Sequence, residues 1–118
     1  MSEAVSWLLE LAVKPGQLEI LRELVEEMVE STRGEPGTLS YEWFVDDAGE
    51  VVHIYERYVD SAAAIVHGET FAERFAERFE ACVEVKTFDL YGDPSAELMD
   101  GLSVFSPSCL GWLGGFTR

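Results

Sequence analysis

Residues 38–60 read TLSYEWFVDDAGEVVHIYERYVD, and this stretch decides the fold. Thr, Tyr, Trp, Phe, Ile and Val crowd both halves, the composition of paired strands. Between them, Asp47-Ala48-Gly49 has the form of a three-residue hairpin loop with glycine in the left-handed position. The spacing predicts a strand from Leu39 to about Val45 and a return strand from about Val51 to Val59. Counting outward from that loop sets Val45 opposite Val51, Trp43 opposite His53 and Tyr41 opposite Tyr55. A slip of one residue would move every side chain to the other face.

Upstream, Val5, Trp7, Leu9, Leu11 and Val13 alternate as in a strand, and Leu8 and Ala12 make its second face partly apolar. Lys14-Pro15-Gly16 ends it. Leu18, Leu21, Leu24, Val25, Met28 and Val29 then recur at helical spacing. Five glutamates between them form a solvated stripe, and Gly34 is placed for a left-handed cap. Glu35-Pro36-Gly37-Thr38 reads as a turn. Downstream, Asp60 suits an N-cap for a short helix, Ser61 to His67. Gly68 is expected to interrupt it, with a second segment from Thr70 to about Ala81. Phe71, Phe75 and Phe79 form an i, i+4, i+8 stripe aimed at the sheet. A strand from Val83 to Tyr91-Gly92 follows, then a short helix from Ser95 to about Leu102. Leu110, Trp112, Leu113 and Phe116, set among glycines, predict an ordered extended arm on its own sheet edge or on a partner.

The sum is β-α-β-β-α-β, an α+β ferredoxin-like arrangement in a single domain over 1–118, with 94–118 as a C-terminal extension. Both helices cover one sheet face. An apolar second face would need a second copy packed against it, so a homodimer is predicted.

Composition narrows the partners. A chain of 118 residues supports one core and no second domain. Its 23 acidic and 8 basic residues leave a net charge of −15, which opposes nucleic acid and anionic membranes. No apolar run approaches a membrane span, and Met1-Ser2-Glu3-Ala4 lacks the basic start of a secretory leader. The expected location is cytoplasmic. Cys82 and Cys109 are far apart, form no CxxC, and read as two buried reduced thiols. Neither has metal-like spacing with His53 or His67, and no phosphate loop, dinucleotide motif or nucleophile elbow occurs. The sequence therefore predicts no metal and no cofactor.

Among candidate site residues, His67 suits a general base; capping or packing at a helix end is the other reading. Glu56, set among Ile54, Tyr55 and Tyr58, is a candidate acid or base, or one half of an ion pair with Arg74 or Arg78. Tyr58 suits orienting a substrate oxygen. Tyr41, Trp43 and Tyr55 offer flat rings for stacking on a planar substrate or for a dimer interface. His53, mid-strand beside them, reads as a substrate contact or as a core or interface histidine.

The ordered set EPGTLSYEWF from Glu35, YERYVDSAAAIVH from Tyr55 to His67, YGDPS from Tyr91 and the ending GFTR resembles the antibiotic biosynthesis monooxygenase superfamily. The resemblance implies a dimeric α+β barrel with a small-molecule cavity between sheet and helices. It also implies oxygenation of aromatic polyketides or quinols without metal or flavin. The asparagine and tryptophan of the family's cofactor-free oxygenases fall on Ile54 and Tyr58, and the haem-degrading branch's signature is absent. Two readings follow. One is a cofactor-independent oxidoreductase acting on a small phenolic, quinol or polyketide-like substrate. The other is a non-catalytic dimer that binds a hydrophobic or aromatic small molecule, with a haem-binding relative more remote.

Overall fold

The computed structural model describes residues 3–118; Met1 and Ser2, part of the N-terminal stretch read above, lie outside the described residues. The elements are β1 (Val5–Val13), α1 (Leu18–Arg33), β2 (Thr38–Val45), β3 (Val51–Tyr58), α2 (Ser61–Arg74), α3 (Ala76–Cys82), β4 (Val83–Tyr91), α4 (Ala96–Leu102), one 3-10 turn (Ser103–Phe105) and β5 (Ser108–Leu110). The sheet order is β2-β3-β1-β4-β5. Neighbours among the first four strands pair antiparallel, the ferredoxin-like arrangement, and β5 adds a parallel edge strand beside β4.

Strand alternation puts the apolar set on one face. Trp7 pairs with Glu56, Leu9 with Ile54 and Leu11 with Val52, so these six share the helix-covered side. Leu21, Leu24 and Met28 of α1 and Phe75 and Phe79 beyond α2 close over it. Burying side chains of this size contributes about 1.5–3 kcal/mol each. The opposite face is mixed: Glu10 lies against His53, Ser6 against Arg57 and Leu8 against Tyr55.

Several sequence expectations need correction. The hairpin register is one residue off: Val45 faces Val52, Phe44 faces His53, Trp43 faces Ile54 and Tyr41 faces Glu56. The loop admits an extra residue, because Asp46 N–H still donates to the Val51 carbonyl (3.0 Å) and the Asp46 carboxylate accepts from the Glu50 and Val51 amides. Gly49 is left-handed as expected, at φ 72°. Gly34 is not; it takes an ordinary right-handed conformation. Gly68 leaves α2 unbroken, since one helical glycine costs only about 1 kcal/mol and the helix is anchored on both sides of it. The break falls at Phe75 instead. Asp60 caps α2, accepting from the Ala63 amide at 2.9 Å.

The extension is ordered through β5, and the Gly92 amide donates to the Leu110 carbonyl at 3.0 Å. Beyond it Trp112, Leu113 and Phe116 are 61%, 99% and 81% exposed, so the chain's own sheet edge does not cover them. Both cysteines are free, but only Cys82 is buried; Cys109 is exposed on β5.

Candidate functional site

A cavity of about 490 Å³ lies between the sheet and the helical layer. Trp7, Leu9 and Ile54 form its sheet wall, and Phe71 and Phe79 line it from the α2–α3 side. Leu98, Leu102 and Phe105 come from the C-terminal extension, so that extension is part of the site. Phe105 is fixed by stacking on Phe88 at 5.7 Å.

Among the lining side chains, Glu56 and His67 are the buried acid and base in this largely apolar space. They are 5% and 7% exposed. His67 Nε2 lies 3.3 Å from Glu56 Oε1, and His67 Nδ1 lies 2.9 Å from Glu35 Oε1. The Tyr58 hydroxyl donates to Glu56 Oε1 at 2.5 Å. The Thr38 hydroxyl donates to Glu35 Oε1 at 2.8 Å. The result is a continuous chain, Thr38–Glu35–His67–Glu56–Tyr58, spanning the α1–β2 turn, α2 and β3.

The donors and acceptors define what the chain can do. A carboxylate only accepts, so Glu35 fixes the proton of His67 on Nδ1 and turns Nε2 toward Glu56 and the cavity. At 3.3 Å, Nε2 and the Glu56 carboxylate become an ion pair when the ring takes up a second proton, so a proton accepted at Nε2 is stabilised by Glu56. That proton is the transferable one. Around it, the phenols stay neutral: burial, then the Glu56 charge, pushes both Tyr58 and Tyr41 well above the ordinary tyrosine range.

Local sequence explains how these groups meet. Glu56 and Tyr58 are two apart on β3 and so project to the same face. His67 lies on α2 between the Tyr41 ring (5.3 Å) and the Tyr58 ring (5.4 Å). Gly37 lets the turn carrying Glu35 sit against α2, where a Cβ at that position would lie 2.5 Å from Ala63 Cβ. Thr38 lies three residues beyond Glu35 and holds its carboxylate.

Of the residues read from sequence, the structure brings His67, Glu56, Tyr58, Tyr41 and Trp43 to the helix-covered face. Tyr58 is wholly buried with its hydroxyl on Glu56, and it lies behind the cavity wall. Trp43 packs edge-on to Tyr41 and Phe79. His53 and Tyr55 lie on the opposite face, with His53 half-exposed 3.9 Å from Glu10. The expected Arg74 or Arg78 partner of Glu56 is not formed: Arg74 donates to Ser31 (3.0 Å) and Arg78 to Glu27 (2.8 Å). Sequence reading missed Glu35, taken as a turn residue, and the cavity wall built by the extension. A glutamate between Gly34 and Pro36, with Thr38 three residues on, was the available signal for the first.

Among the described residues no three His, Cys, Asp or Glu side chains are arranged to hold a metal ion. Glu35 and Glu56 approach opposite nitrogens of His67 and therefore do not converge on one point. No helix among the described residues is long and apolar enough to cross a membrane.

The same fold occurs in solved structures. MupZ from Pseudomonas fluorescens is similar over 100% of this chain and 91% of its own, at 22% identity and a TM-score of 0.88. That match includes the C-terminal extension. PA3566 from Pseudomonas aeruginosa matches 76% of this chain and 93% of its own, at 28% identity and a TM-score of 0.66. Rv0793 from Mycobacterium tuberculosis matches 78% and 96%, at 21% identity and a TM-score of 0.66. No functionally curated protein matches the chain. The sequence profile named antibiotic biosynthesis monooxygenase matches residues 5–84, from β1 into β4, covering the turn, strand and helix that carry Glu35, Glu56 and His67. With more than half its length matched and the expected fold in place, the chain belongs to the antibiotic biosynthesis monooxygenase family.

Proposed function

We propose that the protein removes a proton from a small aromatic substrate (a phenol, quinol or polyketide-like molecule) and so enables its oxygenation by dioxygen. The observation that carries this reading is the buried His67, bracketed by Glu35 and Glu56 at the wall of an otherwise apolar cavity. His67 with Glu56 takes the proton, and Glu35, Thr38 and Tyr58 hold the pair in place. A deprotonated, electron-rich ring or benzylic carbon reduces oxygen itself. For a methylene substrate, one methylene group and one dioxygen molecule become one carbonyl group and one water. The carbanion adds dioxygen through a new carbon–oxygen bond, and the proton returns to the resulting peroxide. The second C–H bond and the O–O bond then break, and water leaves with both hydrogens. The carbon is oxidised and dioxygen is reduced, with no other reductant consumed. The protein's contribution is orientation, desolvation and the base. The chemistry asks for no metal, flavin or haem.

One observation favours a second reading. Ile54 lines the cavity and offers no hydrogen bond to an enolate or carbanion. A site that only binds and sequesters a hydrophobic or aromatic molecule would need none. The wider reading includes a homodimer, the common state in this family, and a cytoplasmic location. Oxygen uptake by chelator-treated protein, with a panel of anthrones and hydroquinones, tests the enzyme reading. Uptake above the uncatalysed rate, reduced about 10²–10⁴-fold in His67→Ala, is the expected result. No uptake above background across the panel favours the binding protein.

A further inference from the structure

We infer that the cavity takes a free, neutral or cationic aromatic molecule and rejects carboxylates and phosphate-bearing thioesters; this rests on the small-molecule reading above. The cavity wall contains no lysine or arginine among the described residues. Its rim carries Glu69 from α2, Glu80 from α3 and Glu97 from α4, all exposed. Three separate elements, one of them in the extension, thus place a carboxylate at the same opening. The Lys14 ammonium, donating to the Glu80 main-chain oxygen at 2.6 Å, offsets part of one of these charges. Within the cavity, the buried acid and base are Glu56 and His67, already engaged with each other and with Glu35. The whole chain adds a net charge of −15 behind them.

Two effects separate here. Desolvation in an apolar cavity penalises any ion, so neutral ligands are favoured over both signs. The rim field acts by sign, repelling anions and tolerating cations. A carboxylate suffers both penalties, whereas an ammonium suffers one and is partly repaid at the mouth. Substrates tethered to a phosphate-bearing thioester handle would drag several negative charges across the rim. The reaction class this implies upstream is one that releases its aromatic product uncharged.

The experiment uses three matched probes at pH 7: 2-naphthol, 2-naphthoate and 2-naphthylmethylammonium, with binding read by calorimetry. Naphthol should bind tightest. In about 20 mM NaCl the ammonium should bind at least roughly tenfold tighter than the carboxylate, and the gap should close in about 500 mM NaCl. The exposed pair Glu69→Gln/Glu97→Gln should narrow the gap without changing naphthol binding. A carboxylate that binds as well as the ammonium, or a gap indifferent to salt and to the double variant, overturns the inference and leaves the acid–base reading standing. Failure of all three probes to bind overturns the aromatic-cavity reading, and this inference with it.

Discussion

His67 Nδ1 sits 2.9 Å from Glu35 Oε1, joining α2 to a turn that lies 32 residues earlier in the chain. Both side chains are buried or nearly so, and the contact orients the ring so that its second nitrogen meets Glu56. Glu35 does not line the cavity, so it acts through His67 as a positioning residue.

Glu35→Gln should therefore lower kcat more than it changes KM. An amide still accepts from Nδ1–H but no longer as a charged acceptor, so stability falls by only about 1 kcal/mol. The downfield Nδ1 proton of His67 should weaken or vanish in the NMR spectrum of this variant. Unchanged kcat with an unchanged proton signal would remove Glu35 from the site.

Alkaline pH should destabilise the fold through Tyr41 and Tyr58. Burial, then the Glu56 charge, raises both phenols above their unfolded value of 10. The unfolded chain then loses these protons first, so stability is intact below about pH 10 and declines as pH rises beyond it. Denaturant unfolding at rising pH should show this slope, and it should be smaller in Tyr41→Phe and Tyr58→Phe. A slope identical in both variants would mean that the two phenols ionise freely in the folded state.

The same residues show what was legible in sequence. Alternation alone places Glu56 and Tyr58 together on β3, and it equally places His53 and Tyr55 on the other face. The one-residue register slip obscured this, because it paired Trp43 and Tyr41 with His53 and Tyr55 instead of Ile54 and Glu56. Asp46 caused the slip: its side chain accepts two loop amides and admits the extra loop residue. Local caps such as Asp60 are readable because both partners lie within one turn. Glu35 with His67, and Phe105 with Phe88, are not, since tertiary folding alone brings them together.

Gly37→Ala should loosen the site without touching it. The added Cβ would meet Ala63 Cβ at 2.5 Å, so the turn or α2 must shift. Overpacking of this kind costs about 1–3 kcal/mol. Lower thermal stability with reduced turnover is expected, and Gly37→Ala/Ala63→Gly should restore both. Full activity in the single variant would show that the turn position does not matter to His67.

Light scattering at micromolar concentration should report two 13.2 kDa chains per particle. The exposed Trp112, Leu113 and Phe116, with Phe44 on the otherwise mixed open sheet face, supply the apolar surface. An obligate interface would bury more than about 2,000 Å². A stable monomer would assign the arm another role.

Proton abstraction by the His67–Glu56 pair is the central claim, and anaerobic hydrogen–deuterium exchange tests it without involving oxygen. Anthrone in heavy water should exchange its methylene protons faster with the protein than in buffer, followed by NMR. His67→Ala should cut the protein-dependent rate about 10²–10⁴-fold while its circular dichroism stays unchanged. Exchange no faster than in buffer, for anthrone shown by calorimetry to be bound, would contradict the claim, as would an unchanged rate in His67→Ala.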